Sequence, residues 1–428
     1  MCRNFCCLMP CSAVQFPPRP KKQRLRSDLH QSDMWISLLL ATVLSTACAQ
    51  NMTMKLVGTG SLIAKFMKAN RYDDYLRLID EQERSRSNGR YWTWQSLASW
   101  YDEYYLGEVN VGTPAQKFYL SMDTGSSAMW LIDGACTHPI CNGYATSGRT
   151  KNKFYYGKST TFEKTSEKFS INYGTGWAGG FIGVDDITYG TYVVKQQFGV
   201  ANSLGPFFGT APMDGIFGLG FNEYENLNAP MPTVKHFMDK QQFTVWMNRR
   251  VAISKGAVGG YITYGAYDKT NCAAKIYYAP LAVENKWIIN IAGFGIGKYT
   301  HTADQHAISD TGTTWIGVPN AVLNNILWQT KSSWDASRKL YTIPCSKMYK
   351  LPNMVFHIAG VQFTVPSAQY VLDLNLGKGQ CVMAIFAVDS AAFGAQFILG
   401  QPFIRTFCQT YDIENQRIGI SIATPQKT

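Results

Sequence analysis

The chain has 428 residues, of which 46% are hydrophobic and 16% are charged. This length exceeds what one hydrophobic core usually supports, and the composition excludes a disordered or fibrous protein. No apolar run reaches the roughly 18–20 residues that a membrane-spanning helix needs, which excludes a polytopic membrane protein.

The net charge of +11 is concentrated towards the N-terminal end. Residues 1–50 hold six Lys or Arg and two Asp or Glu, and residues 51–90 hold eight and five. Residues 91–428 hold 26 Lys or Arg and 22 Asp or Glu. A nucleic-acid-binding protein concentrates basic residues on its folded part, so this distribution argues against a nucleic-acid partner.

Residues 34–49, MWISLLLATVLSTACA, form a short apolar run that ends in small residues. Arg and Lys precede it, and the pattern predicts a secretory signal peptide that is too short to span a membrane. An uncleaved anchor is the alternative. Residues 1–33 are a basic N-terminal extension that fits no fold. Either Met34 is the true initiator, or these residues are a long basic leader.

Residues 50–94 have the pattern of a propeptide. Apolar side chains recur between charges at roughly helical spacing, which predicts one or two amphipathic helices within residues 61–82. Residues 84–90, rich in Ser, Arg, Asn and Gly, indicate an exposed linker. The apolar side chains are Leu62, Phe66, Met67, Tyr75 and Leu76.

From residue 101 onward, short β-branched and aromatic runs alternate with Gly, Asn and Pro, which predicts strands and hairpins. Few windows look helical, and the main ones are 224–241 and 319–331. Within this body one pattern occurs twice: Asp-Thr-Gly-Ser-Ser at residues 123–127 returns as Asp-Thr-Gly-Thr-Thr at residues 310–314.

Each copy is followed by two apolar residues and a Gly, at residues 216–218 and 398–400. The matched offsets indicate two similar lobes, residues 95–252 and 253–428. A pseudo-two-fold axis between such lobes brings one Asp from each into contact. The Gly of each motif allows a tight turn, and each Thr hydroxyl can bond the opposite backbone.

These motifs resemble those of the pepsin-family aspartic proteases, with cathepsin D and the nematode aspartic proteases as the most similar members. The match runs from about Leu97 to the C-terminus. The resemblance implies a mainly all-β, bilobal pepsin-like acid protease fold with two pseudo-symmetric β lobes and a cleft between them. Further matching positions are Tyr105-Leu106-Gly107, Gly112-Thr113-Pro114, Trp130 and the flap sequence Tyr173-Gly174-Thr175-Gly176.

The resemblance implies an aspartic endopeptidase, made as a secreted zymogen and active at acidic pH. Asp123 and Asp310 would share one proton and activate a water, without a covalent intermediate. Tyr173 would bond the Trp130 indole and close a flap over the substrate. Supporting positions around the two Asp are Thr124, Gly125, Ser126, Thr311, Gly312 and Thr313.

The resemblance also implies an extended peptide substrate that is cleaved between large apolar residues. Ser121 stands where the family more often has an aliphatic residue, and Trp177 stands where it more often has a small one. Gln401-Pro402 replaces a frequent Asp-Val. The implied substrate-binding positions are Gly174 and Thr175 on the flap, Ser121, Phe207, Met213 and Ile216 at the S1 wall, and Ile308 and Ile398 on the primed side.

Six cysteines follow the predicted signal peptide, which favours three disulfides in an exported chain. Metal binding is the weaker alternative, because no Cys-x-x-Cys spacing accompanies them. The resemblance implies the pairs Cys136–Cys141 and Cys345–Cys381. Cys272 and Cys408 remain, and we expect them to pair if the fold brings them within about 7 Å.

The expected partners are protein and peptide substrates, pepstatin-type inhibitors, and the chain's own propeptide as an inhibitor. Arg86 or Arg90 would supply the propeptide cation that neutralises the Asp pair. We expect a monomer without cofactor, metal, nucleic acid or stable membrane association. The single glycosylation sequon, at Asn51, lies in the predicted propeptide. This favours secretion, with the lysosome as the alternative location.

A second hypothesis is a pseudoprotease that retains the cleft as a peptide-binding module. Such a protein usually lacks one Asp, a motif Gly or the flap Tyr. Asp123, Asp310 and Tyr173 are all present here, which favours the enzyme.

Overall fold

The computed structural model describes residues 52–77, 104–173, 176–189, 192–221, 240–249, 258–388 and 394–424. These residues belong to one compact unit, Gln50–Thr428. The predicted N-terminal extension, signal peptide and linker, both candidate propeptide cations and most of the 224–241 window lie outside the described residues.

Strands form most of the described chain. The strands up to residue 264 are β1 (Met52–Gly58), β2 (Tyr105–Val111), β3 (Gln116–Asp123), β4 (Met129–Ile132), β5 (Glu163–Tyr173), β6 (Gly176–Tyr189), β7 (Tyr192–Leu204), β8 (Gly215–Gly218), β9 (Gln242–Met247) and β10 (Gly260–Tyr264).

The second part of the chain adds shorter strands. They are β11 (Tyr277–Pro280), β12 (Ile288–Ile291), β13 (Gly293–Ile296), β14 (Tyr299–His301), β15 (Gln305–Ser309), β16 (Ile316–Pro319), β17 (Ser333–Asp335), β18 (Leu340–Pro344), β19 (Met354–Ile358), β20 (Val361–Val365), β21 (Val371–Leu372), β22 (Gln380–Met383), β23 (Ile385–Val388), β24 (Phe397–Leu399), β25 (Phe407–Asp412) and β26 (Arg417–Ile422).

Helices are short, apart from one at the position of the predicted 319–331 window. They are α1 (Leu62–Lys68), α2 (Pro139–Asn142), α3 (Pro206–Thr210), α4 (Asn320–Thr330), α5 (Ser367–Tyr370) and α6 (Gln401–Ile404). No helix among the described residues is long and apolar enough to cross a membrane.

The largest sheet runs through both halves of the sequence, and the second half adds three smaller sheets. Strands β9, β10, β25 and β26 join the strands of the first lobe through β1. The orders are β11-β26-β25-β9-β10-β1-β2-β3-β8-β4-β7-β6-β5, β12-β15-β24-β16-β23, β14-β13-β19-β20 and β17-β18-β22-β21.

The strand pairings repeat between the two halves. In the first, β3 runs parallel to β8, β8 antiparallel to β4, and β4 parallel to β7. In the second, β15 runs parallel to β24, β24 antiparallel to β16, and β16 parallel to β23. The predicted duplication therefore corresponds to one strand pattern built twice, and the predicted bilobal, mainly β fold class is confirmed.

The N-terminal segment, residues 52–77, packs on both lobes. Its strand β1 pairs antiparallel with β2 and with β10. Met52, Met54 and Leu56 are buried while the alternate residues face outward, as expected for a strand with one face on a core. The expectation of helices alone missed this strand.

The same segment forms the helix α1, which Ser61 caps by accepting a hydrogen bond from the Ala64 N–H at 2.9 Å. Residues 72–77 are also helical. The Tyr72 hydroxyl donates to the Arg338 carbonyl at 2.6 Å. The segment shares a buried apolar cluster with the second lobe. This cluster contains Leu62, Ile63, Phe66 and Tyr75 from the segment and Trp315, Phe386 and Ile398 from the second lobe.

The six cysteines form the three expected disulfides. Cys136 bonds Cys141 and Cys345 bonds Cys381, over sequence separations of 5 and 36. Cys272 bonds Cys408 over a separation of 136, and their Cα atoms are 6.0 Å apart. The last bond links the start of the second lobe to β25 in the large sheet.

Removing the Cys272–Cys408 disulfide should destabilise the protein more than removing Cys136–Cys141. A disulfide restricts the unfolded chain, and the restriction grows with the length of the closed loop. We expect Cys272→Ala/Cys408→Ala to lower the free energy of unfolding by about 2–5 kcal/mol. Urea denaturation of this variant and of the control Cys136→Ala/Cys141→Ala measures the difference. Equal losses in the two variants would contradict the prediction.

Candidate active site

Asp123 and Asp310 lie at equivalent places in the two lobes. Asp123 ends β3 and pairs with Gly218 of β8. Asp310 directly follows β15, and its N–H donates to the Leu399 carbonyl of β24. Each Asp therefore lies at the end of a strand, β3 or β15, that pairs with the strand carrying the later apolar-Gly segment of the same lobe, β8 or β24.

The loops that follow the two Asp residues are joined by four hydrogen bonds of Thr124 and Thr311, two between these residues and two to backbone carbonyls of the opposite lobe. The Thr124 N–H donates to the Thr311 hydroxyl at 2.9 Å, and the Thr311 N–H donates to the Thr124 hydroxyl at 3.0 Å. The Thr124 hydroxyl donates to the Ser309 carbonyl and the Thr311 hydroxyl to the Met122 carbonyl, at 2.9 and 2.7 Å. All four bonds are buried, so they lock the loops together.

The two carboxyl groups face each other across the glycines of the two loops. A Cβ atom at Gly125 would lie 2.8 Å from the Asp310 carboxyl carbon, and one at Gly312 would lie 2.5 Å from Asp123 Oδ1. Such distances leave no room for a side chain. The glycines are therefore required by the close approach of each loop to the opposite carboxyl group.

Each carboxyl group accepts the same pair of hydrogen bonds from its own loop. The Ser126 hydroxyl donates to Asp123 Oδ2 at 2.5 Å, and the Gly125 N–H donates to Oδ1 at 2.9 Å. In the second lobe the Thr313 hydroxyl donates to Asp310 Oδ2 at 2.5 Å. The Gly312 N–H donates to its Oδ1 at 2.8 Å. These donors orient both groups towards the interface.

Removal from water raises the pKa of both carboxyl groups above their ordinary value. For Asp123, the neighbouring Asp310 charge raises the pKa further, while the hydrogen bond from Ser126 lowers it. For Asp310, burial is again the main cause, opposed by the hydrogen bond from Thr313. Because the pair resists a second negative charge, it retains a proton at pH values where an exposed Asp has lost its own.

The hairpin of β5 and β6 carries Tyr173 to the first lobe's aromatic cluster. The Trp130 indole N–H donates to the Tyr173 hydroxyl at 2.9 Å. The Phe208 ring packs edge-on against both aromatic rings. Of the expected flap residues, Gly174 and Thr175 lie outside the described residues. Trp177, which stands where the family more often has a small residue, is 37% exposed.

The expected pocket positions fall into two groups. In the first lobe, Ser121 pairs with Ile216 in the sheet, and Phe207, Met213 and Ile216 share one buried cluster. In the second lobe, Ile308 pairs with Ile398, beside the N-terminal segment. The structure thus brings the expected residues of each group together.

Metal coordination finds little support among the described residues. One group there has the composition of a metal site, formed by Cys345, Asp373 and Cys381. Its two cysteines are bonded to each other, so they offer no thiolate ligands.

Comparisons with known proteins identify the family. The model of the eukaryotic aspartyl protease family matches residues 104–423. The chain belongs to this family. It is 42% identical over 395 residues to Aspartic protease 1 of Caenorhabditis elegans, which covers 91% of this chain and 98% of the relative. It is 31% identical over 382 residues to Pepsin A of Bos taurus, and this match covers 87% of this chain and 96% of the relative.

A second nematode relative, Aspartic protease 17 of Caenorhabditis elegans, is 40% identical over 390 residues and covers 90% of this chain and 97% of the relative. The protein is an aspartic-type endopeptidase, and the predicted family and enzyme class are confirmed. Its family acts on protein substrates and is inhibited by pepsin-type inhibitors.

Sequence reasoning missed a group of polar residues behind the first lobe's pocket positions. Asp214 is fully buried there and is bonded by Arg149 and Asn152, while Lys151 donates to the Met213 carbonyl. These residues are over 60 positions apart from Asp214 in sequence and form no spacing motif. The one available signal was an acidic residue inside the apolar run that leads into β8.

The raised pKa values of Asp123 and Asp310, together the dyad, should make the wild-type protein lose stability as pH rises. Between the unfolded value near 3.8 and the raised folded value, the folded protein holds more protons than the unfolded chain. The free energy of unfolding then falls with increasing pH. Asp310→Asn removes this titration, so we expect the variant to be more stable than wild type at pH 7.

At pH 4 this advantage should be smaller, because the folded wild-type pair then holds more of its protons and the two carboxyl groups repel each other less. Urea denaturation at both pH values measures the difference, with Glu167→Gln on the exposed face of β5 as the control. An advantage of Asp310→Asn that is the same at pH 4 and pH 7 would refute the assignment of a raised pKa.

Proposed function

We propose that the chain is the zymogen of a secreted acid endopeptidase that cleaves protein substrates between large apolar residues. Asp123 and Asp310 are the proposed catalytic residues. The observation that carries the proposal is the meeting of two carboxyl groups, one from each lobe, across loops that are locked together by Thr124 and Thr311.

The proposed reaction uses a water molecule held between the two carboxyl groups. The ionised partner takes a proton from this water, and the resulting oxygen attacks the scissile carbonyl carbon. The protonated partner donates its proton to the carbonyl oxygen, giving a tetrahedral gem-diol. Proton transfer to the leaving nitrogen then breaks the C–N bond, so no covalent enzyme intermediate forms.

Sharing of one proton follows from electrostatics. Two unit charges about 4 Å apart repel by about 4 kcal/mol at an effective dielectric near 20. At about 1.4 kcal/mol per pKa unit, this separates the two titrations by roughly three units. Asp123 and Asp310 therefore work as an acid and base pair only below the pH at which both ionise, which supports acidic activity.

The pocket residues support the proposed substrate class. Phe207, Met213 and Ile216 offer apolar surface to the residue before the scissile bond, and Ile308 offers it to the residue after. Ser121, which is smaller than an aliphatic residue, leaves more room in the first pocket. Tyr173 lies at the end of β5, and in our proposal the flap hairpin offers its backbone to an extended peptide substrate.

The contacts of residues 52–77 support their role as part of an inhibitory propeptide. The segment contributes β1 to the large sheet, and its helix packs beside Ile308 and Ile398 on the primed side of the proposed cleft. In our proposal Arg86 or Arg90 pairs with the two Asp carboxylates. Acid protonates the carboxylates, weakens this pairing and permits propeptide removal.

The proposed location outside the cell rests on the signal pattern at residues 34–49 and on the sequon's position in the propeptide. The lysosome is the alternative. Disulfide bonds fit either compartment, because both lie on the export route.

Haemoglobin digestion from pH 3 to pH 8 tests the proposed function. Refolded zymogen should cleave the substrate at acid pH only, because the general acid is lost when both carboxyl groups ionise. Pepstatin and the substitution Asp123→Asn should each abolish cleavage. Asp133→Asn, which changes a buried Asp outside the dyad loops, is the matched control and should retain activity.

Processing of the propeptide in the same gel would locate the mature N-terminus. Cleavage by Asp123→Asn that equals wild type would overturn the assignment of the dyad. A folded protein that starts near Gln95, binds pepstatin and cleaves nothing would favour the pseudoprotease.

A further inference from the structure

The wall of the proposed S1 pocket is built on one short stretch of chain, residues 206–214. Helix α3 carries Phe207, and the residues after it carry Met213. Both side chains are buried in the cluster that also holds Ile216. The backbone position of this stretch therefore sets the size of the pocket that receives the residue before the scissile bond.

Two basic side chains donate hydrogen bonds to two successive backbone carbonyl groups of that stretch. Arg149 donates through Nη1 to the Pro212 carbonyl at 3.0 Å. Lys151 donates through Nζ to the Met213 carbonyl at 2.8 Å. Both donors come from the loop that follows the Cys136–Cys141 disulfide. The Tyr144 N–H of the same loop donates to the Gly209 carbonyl of α3.

Asp214 anchors the end of the stretch through its carboxylate. Its oxygens accept hydrogen bonds from the Tyr119 N–H at 2.8 Å and from the Asn152 N–H at 2.9 Å. They also accept bonds from the Asn152 side-chain amide at 3.2 Å and from Arg149 Nη2 at 3.0 Å. Asp214 is thus fixed both to β3, which leads to Asp123, and to the loop that carries Arg149 and Lys151.

Burial of the Lys151 side chain is the energetically least favourable feature of this group. Lys151 is only 4% exposed, and burial lowers the pKa of its ammonium group to about 7, with the Asp214 charge opposing this shift and the Arg149 charge adding to it. An apolar side chain of similar length would fill the same space without burying a charge. What a Lys adds here is a donor to the Met213 carbonyl.

We propose that Lys151 and Arg149 are positioning residues that determine S1 specificity by fixing the backbone of Met213 and Pro212. This inference rests on the proposed function, since it assigns specificity to the same pocket. Loss of the Lys151 bond frees the Met213 carbonyl, and the wall that Met213 forms shifts towards or away from the substrate. Substrates with a large side chain before the scissile bond lose the most in kcat/KM, because that side chain has the most contact with the pocket wall.

The test compares two peptides that differ only before the scissile bond, with Phe in one and Ala in the other. In Lys151→Met we expect the ratio of kcat/KM values, Phe over Ala, to fall about tenfold, as the loss of one buried hydrogen bond can produce. The fall should appear mainly as a higher KM for the Phe peptide. Lys151→Arg, which restores a cationic donor, should recover part of the ratio.

Lys153→Met is the matched control. Lys153 also donates to a backbone carbonyl, that of Cys136 at 3.0 Å, and to Asn142 Oδ1 at 2.9 Å, and neither acceptor lies within residues 206–214. The control should keep the wild-type ratio. If Lys151→Met does not fold, Arg149→Gln replaces it, because Arg149 is partly exposed and holds the adjacent carbonyl.

An unchanged ratio in the folded variant, or an equal fall in Lys153→Met, would overturn the inference. Failure of the proposed function would look different. In that case wild-type enzyme would show no pepstatin-sensitive turnover of either peptide, so no ratio could be measured for any variant.

Discussion

The crossed hydrogen bonds between Thr124 and Thr311 are the constraint on which the rest of the site depends. Two carboxyl groups that repel each other must be kept in contact, and neither lobe can do this alone. Each Thr gives its N–H to the partner's hydroxyl and its own hydroxyl to the other lobe's backbone. The site exists only while both lobes are folded and docked, so the proposed catalysis depends on the whole fold.

The rest of the molecule supports that contact in successive layers. The repeated strand pattern places each Asp at the end of a held strand, and the large sheet joins both halves. Within that sheet, β1 of the N-terminal segment lies between β2 and β10, one strand from each half of the chain. Enclosure of the carboxyl groups raises their pKa, so the same burial that costs stability at neutral pH favours retention of the proton that the proposed acid and base pair needs.

The repeated Asp-Thr-Gly motif and its matched offsets predicted the duplicated lobes and the meeting of Asp123 and Asp310, and the family resemblance implied the bond between Trp130 and Tyr173. The sequence did not predict β1. Seven residues of alternating burial, Met52–Gly58, are too few to outweigh the helical pattern that follows. Nor did it predict the bonds of Asp214 to Arg149 and Asn152, because residues so far apart in sequence meet only through tertiary packing.

The most direct test of this account is the activity of Thr124→Val beside Thr124→Ser. Val has the shape of Thr but no hydroxyl, so it leaves the buried Thr311 N–H without an acceptor, at a cost of about 1–3 kcal/mol. Ser keeps the hydroxyl. With folding checked by circular dichroism, we expect kcat/KM on a peptide substrate to fall about 100-fold in Thr124→Val, because small displacements of catalytic groups have effects of that size. Thr124→Ser should stay within about tenfold of wild type, as it retains the bond. A folded Thr124→Val with wild-type kcat/KM would contradict the claim that the crossed bonds position the dyad.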